Sequence, residues 1–278
     1  MSRKLLIFIY FFLFVLVGNC YAGYSRVVSL APSLTSSLYD LDSQDCIVGV
    51  TIYCKAEGKQ IIGTTLEPNV EEIISLKPDL VLAVKGWNGP VVLDKIKAAG
   101  LNIISFEPAN NFEDICRNFI LLGRLVEKEK LASDIVSHAR HEVDQIFSNA
   151  KNLPRKSIFW QLGEKPLVTV NDSAFIGDLI RFSGGTNLFS DLKVMYAVVS
   201  YEEVVKRNPQ IIIIATMGDA AISQKKYWLG IKKIDASKNK SVFIIDADNI
   251  CQPTLLRFVR GLKEIAGLVY AGIGAESR

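Results

Sequence analysis

Histidine is nearly missing from this 278-residue chain, which has only His138 and His141. A zinc or manganese site needs three or four converging His and carboxylate ligands, and two histidines one turn apart do not complete such a shell. The same scarcity weighs against a Ser-His-Asp hydrolase, and no Gly-x-Ser-x-Gly elbow occurs. Charge of one sign is lacking too, with 32 basic residues facing 29 acidic ones and no basic tail or block. That balance offers no footprint for nucleic acid. A long apolar run occurs once, from Leu5 to Val17, after Arg3 and Lys4 and before the small residues around Ala22. It is shorter than the roughly 20 residues a membrane-crossing helix needs, so it reads as an export signal over 1–22, cleaved near Ala22. Asn19 stands where a small residue would precede a lipid-modified Cys20, which makes cleavage the better reading than a lipid anchor. Removal of the leader leaves Cys46, Cys54, Cys116 and Cys251 in an oxidising compartment. Cys46 and Cys54 then either pair or remain separate thiols, since pairing depends on geometry.

What is present is a regular alternation of short apolar strands and helical segments, occurring twice, with one long amphipathic stretch between. In that stretch, 127–150, Leu131, Ile135, Val136, Ala139, Val143, Ile146 and Phe147 recur at three- and four-residue steps. At 1.5 Å per residue it spans roughly 30 Å or more, enough to cross a small domain. The strands lack hairpin signals, which predicts parallel pairing through crossover helices. The expected division is an N-terminal α/β lobe over 23–126, a linking helix over 127–150 and a C-terminal α/β lobe over 151–278. A repeat supports it: Val70-Glu71-Glu72-Ile73 with Lys77-Pro78-Asp79-Leu80 in the first half corresponds to Tyr201-Glu202-Glu203-Val204 with Asn208-Pro209-Gln210-Ile211 in the second. Each copy is a short acidic helix, a proline break and a buried strand. The polar loop after the first strand, Ala31-Pro32-Ser33, lies where an α/β lobe presents a ligand.

These segments carry a family resemblance. Arg26-Val27-Val28-Ser29-Leu30-Ala31-Pro32-Ser33, Val48-Gly49-Val50, Asn69-Val70-Glu71-Glu72-Ile73, Gly184-Gly185-Thr186-Asn187-Leu188-Phe189 and Val199-Ser200-Tyr201-Glu202-Glu203-Val204 resemble the substrate-binding proteins of ABC importers for cobalamin, iron-siderophore and haem. The cobalamin-binding members are the most similar. The resemblance implies two Rossmann-like lobes with mostly parallel sheets, joined by one long α-helix, with a ligand cleft between them. It implies no enzymatic activity and no resident cofactor, the cargo being a corrinoid or another metal chelate. The implied partners are a small-molecule ligand and an ABC permease with its ATPase subunits, met by a monomer in the periplasm. Glu71 and Glu202 match the family's lobe-tip glutamates, which dock onto permease arginines. The expected ligand-facing set is Pro32, Ser33, Tyr53, Thr65, Trp87, Tyr196 and Asp246, with no metal ligands; in it Tyr53 and Tyr196 match the aromatic positions of cobalamin-binding relatives, and Trp87 is offset from the family's pattern. Thr65 stands where cobalamin binders tend to carry Trp, and Ser36 where Glu is common, so haem or a ferric siderophore is the alternative cargo. Trp160 and Trp228 are expected to be packing residues.

Overall fold

The computed structural model describes residues 23–215 and 219–271, and the expected leader with Cys20 lies outside them. The first lobe holds five parallel strands: β1 (Val27–Ser29), β2 (Ile47–Val50), β3 (Gln60–Ile61), β4 (Leu80–Val84) and β5 (Ile103–Phe106). Their spatial order is β3-β2-β1-β4-β5. All five residues of β4 are buried, as an uninterrupted apolar strand covered on both faces should be. The crossovers are α1 (Pro32–Asp40), α2 (Val70–Ser75), α3 (Pro90–Ala98) and α4 (Phe112–Leu125). The linking helix, α5, runs over Glu129–Ala150, two residues shorter than its apolar pattern suggests. Glu127 takes a left-handed backbone, φ 57°, which ends the corner after α4 and delays the helix start.

The second lobe builds a parallel sheet from β6 (Lys156–Gln161), β9 (Gly185–Asn187), β11 (Ile211–Ile214) and β12 (Val242–Ile244), in the order β12-β11-β6-β9. Beside it β7 (Gly163–Glu164), β8 (Leu167–Val170) and β10 (Tyr196–Val198) form an antiparallel ribbon, ordered β10-β8-β7. Hairpin pairing was not expected here. Its turn is Lys165-Pro166, and its outer strands are two and three residues long, too short for an alternating pattern to register. The helices of this lobe are α6 (Phe175–Phe182), α7 (Tyr201–Arg207), α8 (Asp219–Gly230), α9 (Asp235–Lys238), α10 (Ala247–Ile250) and α11 (Leu255–Ala271).

The repeat extends to hydrogen bonds. Asn69 caps α2 by accepting from the Glu72 N–H at 3.2 Å, and Ser200 caps α7 by accepting from the Glu203 N–H at 3.1 Å. Lys77 and Asn208, each before its proline, both have positive φ, 46° and 51°. The residue after each proline then ties down the neighbouring strand. Asp79 accepts from the Arg26 N–H at 3.0 Å and Gln210 accepts from the Ser157 N–H at 3.0 Å.

Alternate residues of the central strands enter different cores, the two-residue period of a sheet covered on both faces. Leu80, Leu82 and Val84, with Ile158, Trp160, Ile211 and Ile213, enter one hydrophobic cluster that also contains Val136, Ala139 and Val143 of α5. Val81 and Ala83 belong to a second cluster private to the first lobe; Phe159, Ile212, Ile214 and Trp228 belong to a third private to the second. The shared cluster is closed by aromatics from three places. Phe112 of α4 stacks on Phe258 of α11 at 4.9 Å and meets Phe182 of α6 edge-on at 6.2 Å. The Phe112 N–H also donates to Asp178 of α6, 2.9 Å away. The lobes therefore touch through packed side chains as well as through the linking helix.

Candidate functional site

In the first sheet the strand order reverses between β1 and β4, and the crevice beyond their carboxyl ends is the expected ligand position in an open α/β sheet. Those ends lead into Ala31-Pro32-Ser33 and Lys85-Gly86-Trp87. Asn88, buried, fixes the second loop: its Oδ1 accepts from the Val84 N–H at 2.9 Å and its Nδ2 donates to the Thr65 carbonyl at 2.8 Å. Gly86, at φ 77°, supplies the left-handed turn. The result holds the Trp87 indole out at the cleft, 42% exposed.

Facing it is a cavity of about 430 Å³, within the range of small-molecule sites. Its first-lobe wall comes from Ser33, Leu34 and Ser37 of α1, the Lys85–Trp87 loop, and Ile115, Phe119 and Leu122 of α4. Its second-lobe wall comes from Phe175, Met195, Tyr196, Cys251 and Pro253. Tyr196 opens β10, where Tyr196 and Val198 face outward and Ala197 is buried, so its ring is 50% exposed at the mouth. Burial of the phenol end raises the Tyr196 pKa above its ordinary value, with a smaller push from Cys251. The polar rim is largely self-satisfied: Lys85 pairs with Glu107, and the Asn118 side chain donates to the Glu107 carbonyl at 2.9 Å. The cavity is thus an apolar slot with an aromatic ring from each lobe, suited to a flat, partly apolar molecule.

Of the sequence-expected ligand residues, Ser33, Trp87 and Tyr196 share this cavity. Pro32 and Tyr53 line a second cavity, of about 220 Å³, on the other face of α1 with Lys55, Gln252 and Arg257. Thr65 lines neither and contributes its carbonyl to Asn88. Asp246 lines neither and lies exposed just beyond β12, where it adds to the burial that raises the Glu264 pKa. Met195, Cys251 and the α4 residues were not foreseen. Ile115, Asn118, Phe119 and Leu122 recur at three- and four-residue steps, the signal of any core-facing helix, and nothing in that period separates a core from a cavity wall.

Cys46, Cys54 and Cys116 are free thiols, so Cys46 and Cys54 do not pair with each other. Cys54 is buried with Thr35 Oγ1 at 3.2 Å and Thr51 Oγ1 at 3.3 Å, while the Cys46 thiol meets the Ser43 carbonyl at 2.9 Å. His138 and His141 are exposed on α5, His141 bonded to Gln145. Among the described residues no group of three His, Cys, Asp or Glu side chains is placed to hold a metal ion. Trp160 and Trp228 are fully buried.

The two acidic helices end the repeat in the same way. In each pair the second glutamate is engaged, Glu72 by the Gln60 amide at 2.6 Å and Glu203 by Arg207 at 2.8 Å. Glu71 and Glu202 are exposed and have no side-chain partner among the described residues. Two outward carboxylates, one per lobe, stand in equivalent positions.

Residues 27–249 match the model of the family described as Periplasmic binding protein. A Vitamin B12-binding protein of Vibrio vulnificus is 29% identical over 238 residues, covering 84% of this chain and 86% of that protein. Among solved structures, a possible iron-binding (periplasmic solute-binding) protein of Staphylococcus epidermidis superposes with a TM-score of 0.78 at 30% identity, over 89% of this chain and 99% of that one. The periplasmic vitamin B12 binding protein of Vibrio cholerae gives 0.77 at 24% identity, over 90% of this chain and 98% of that one, a likeness of fold.

Proposed function

Because the chain belongs to the periplasmic binding protein family, we propose that it is the solute-capturing component of an ABC importer, which takes cobalamin or a related corrinoid into its interlobe cleft and delivers it to a membrane permease. The observation that carries this reading is the apolar cavity walled by Trp87 from one lobe and Tyr196 from the other, a fit to the face of a macrocycle. The vitamin B12-binding relative supports the choice of cargo. The chain works by binding and release, without catalysis. On this reading 23–126 and 151–278 are the gripping lobes and 127–150 is the spacer. Glu71 and Glu202 are a two-point electrostatic template for permease arginines, consistent with their outward, unpartnered carboxylates. Isothermal titration with cyanocobalamin, and retention of its visible absorbance after dialysis, test the cargo. Absence of both heat and retained colour overturns the corrinoid reading.

An iron chelate, haem or a ferric siderophore, is the second reading. It is favoured by the 30% identity to the possible iron-binding protein and by Thr65, which gives the cleft no aromatic ring where cobalamin binders tend to have one. The same titration with haemin and with a ferric siderophore decides between the two.

A further inference from the structure

The residues just after the expected leader, Gly23-Tyr24-Ser25-Arg26, are tied down one by one, whereas the ends of a domain are ordinarily loose. Asp79 accepts from the Ser25 N–H at 2.8 Å and from the Ser25 hydroxyl at 3.0 Å, beside its bond from the Arg26 N–H. The Tyr24 N–H donates to the Leu125 carbonyl at 3.0 Å, its hydroxyl accepts from Asn102 Nδ2 at 3.0 Å, and its ring packs against the cluster shared by both lobes. The Gly23 N–H donates to Glu127 Oε1, 2.6 Å away, a separation at the short end even of charge-assisted N–H···O bonds. Glu127 is the left-handed residue at the corner before α5. No basic side chain among the described residues is paired with it, and Arg124, one turn earlier, is taken by Glu129 at 2.7 Å. The approach leaves no room for a side chain at position 23. A Cβ there would lie 2.5 Å from Glu127 Cγ and 3.3 Å from the Glu127 backbone nitrogen, so it would push the carboxylate off the bond.

We propose that the leader is cut at the Ala22–Gly23 bond and that the α-ammonium released on Gly23 forms an ion pair with Glu127, so that maturation fastens the corner from which the linking helix starts. The proposal rests on the reading of 1–22 as a removable export leader and is independent of the cargo. A leader peptidase adds water across the Ala22–Gly23 peptide bond: the hydroxyl goes to the Ala22 carbonyl carbon and the hydrogen to the Gly23 nitrogen. That nitrogen is then a primary amine of ordinary pKa about 8, and at neutral pH it takes up a further proton. The one amide N–H facing Glu127 becomes a cation facing a carboxylate, with two further donors for solvent. A cut elsewhere puts the charge in the wrong place, and a residue larger than glycine at 23 keeps the charge and loses the contact.

The test has two arms. In the first, cells carry the gene for the full precursor, and the exported protein is weighed intact by mass spectrometry. The expected mass is that of residues 23–278 with an unmodified amine. An exported chain starting at any other residue overturns the proposal, and a chain found in the cytoplasm with 1–22 attached removes the leader reading and the proposal with it. In the second arm, thermal melts at pH 7 compare the chain that begins at Gly23 with one that keeps Tyr21 and Ala22, where the Gly23 nitrogen is an amide again. Glu127→Gln should lower the melting temperature by about 2 °C in the first chain and by about half that or less in the second. Within the chain that begins at Gly23, Gly23→Ala should cost about as much as Glu127→Gln, and the two together no more than either alone. Equal losses for Glu127→Gln in the two chains, zero included, overturn the ion pair, as do additive losses for the two substitutions. Glu127 is exposed and Gly23 lies at the chain end, so every variant should fold.

Discussion

Asp40→Asn is expected to stabilise the protein at neutral pH. Asp40 is the last residue of α1, where the helix dipole disfavours a negative charge, and its Oδ2 is buried without a hydrogen-bond partner. Burial raises its pKa from 3.8 to about 6, against the opposing pull of Arg257 and Arg260. The folded state therefore binds the Asp40 proton more tightly than the unfolded state. Stability from this group falls as pH rises from about 4 to about 6 and is lowest above that. At 1.36 kcal/mol per unit the shift corresponds to about 3 kcal/mol, and solvent screening of a side chain that is only partly buried reduces this to about 1 kcal/mol. For a chain of this size that is a rise of about 2–4 °C in Tm at pH 7.5. By pH 4.5 most of the native carboxyl is protonated in the fold, and the gap should shrink to about a third. Thermal melts followed by circular dichroism at the two pH values are the assay. A variant less stable than the native protein at pH 7.5 would show that the two arginines outweigh desolvation, and a gap that does not change with pH would show that ionisation is not its origin.

Gln161→Leu should cost about 1–3 kcal/mol in urea denaturation, because it strips the acceptor from the buried Trp228 indole, 2.7 Å away, and the donor from Gln224; a neutral result would mean that both partners find substitutes. Gly123→Ala should destabilise by about 1–3 kcal/mol by the same measurement, although alanine is the better helix former by about 1 kcal/mol, since the added Cβ would lie 2.5 Å from that of Ala132 where α4 crosses the linking helix. Glu71→Arg combined with Glu202→Arg should abolish stimulation of the transporter ATPase and leave ligand affinity unchanged in titration; intact stimulation removes both residues from docking.

The parts of the fold that show plainly in the sequence are those with a repeated period. The buried runs Leu80–Val84 and Ile211–Ile214, the stripe of the linking helix and the two capped acidic helices all carry many residues in register with one geometry. The ribbon strand Tyr196–Val198 has three residues, too few to establish alternation, and the start of α5 depends on one left-handed backbone at Glu127, which no side-chain pattern encodes. At the site, Tyr196 is legible only through the family resemblance and Trp87 only as an aromatic in a loop at the edge of the cleft, whereas Phe119 and Leu122 carry the period of an ordinary core-facing helix. The difference lies in what faces them, and that is set by the other lobe. The Cys46 and Cys54 thiols show the same limit, because nearness in sequence left pairing open until each was seen to have its own neighbours.

The hydrophobic cluster that passes from Leu82 through Val136 to Trp160 also bears on how the molecule comes apart. Lobes with separate cores could melt independently. Here neither lobe can lose its inner face without exposing the other's, and Phe112, Phe182 and Phe258 lose their partners together. Thermal unfolding should then be a single cooperative transition in calorimetry, with calorimetric and van't Hoff enthalpies in agreement. A molecule bound between the lobes would move that whole transition by mass action instead of splitting it. Cargo and architecture are in this sense thermodynamically one object: occupancy of the cleft can be read as heat resistance anywhere in the chain.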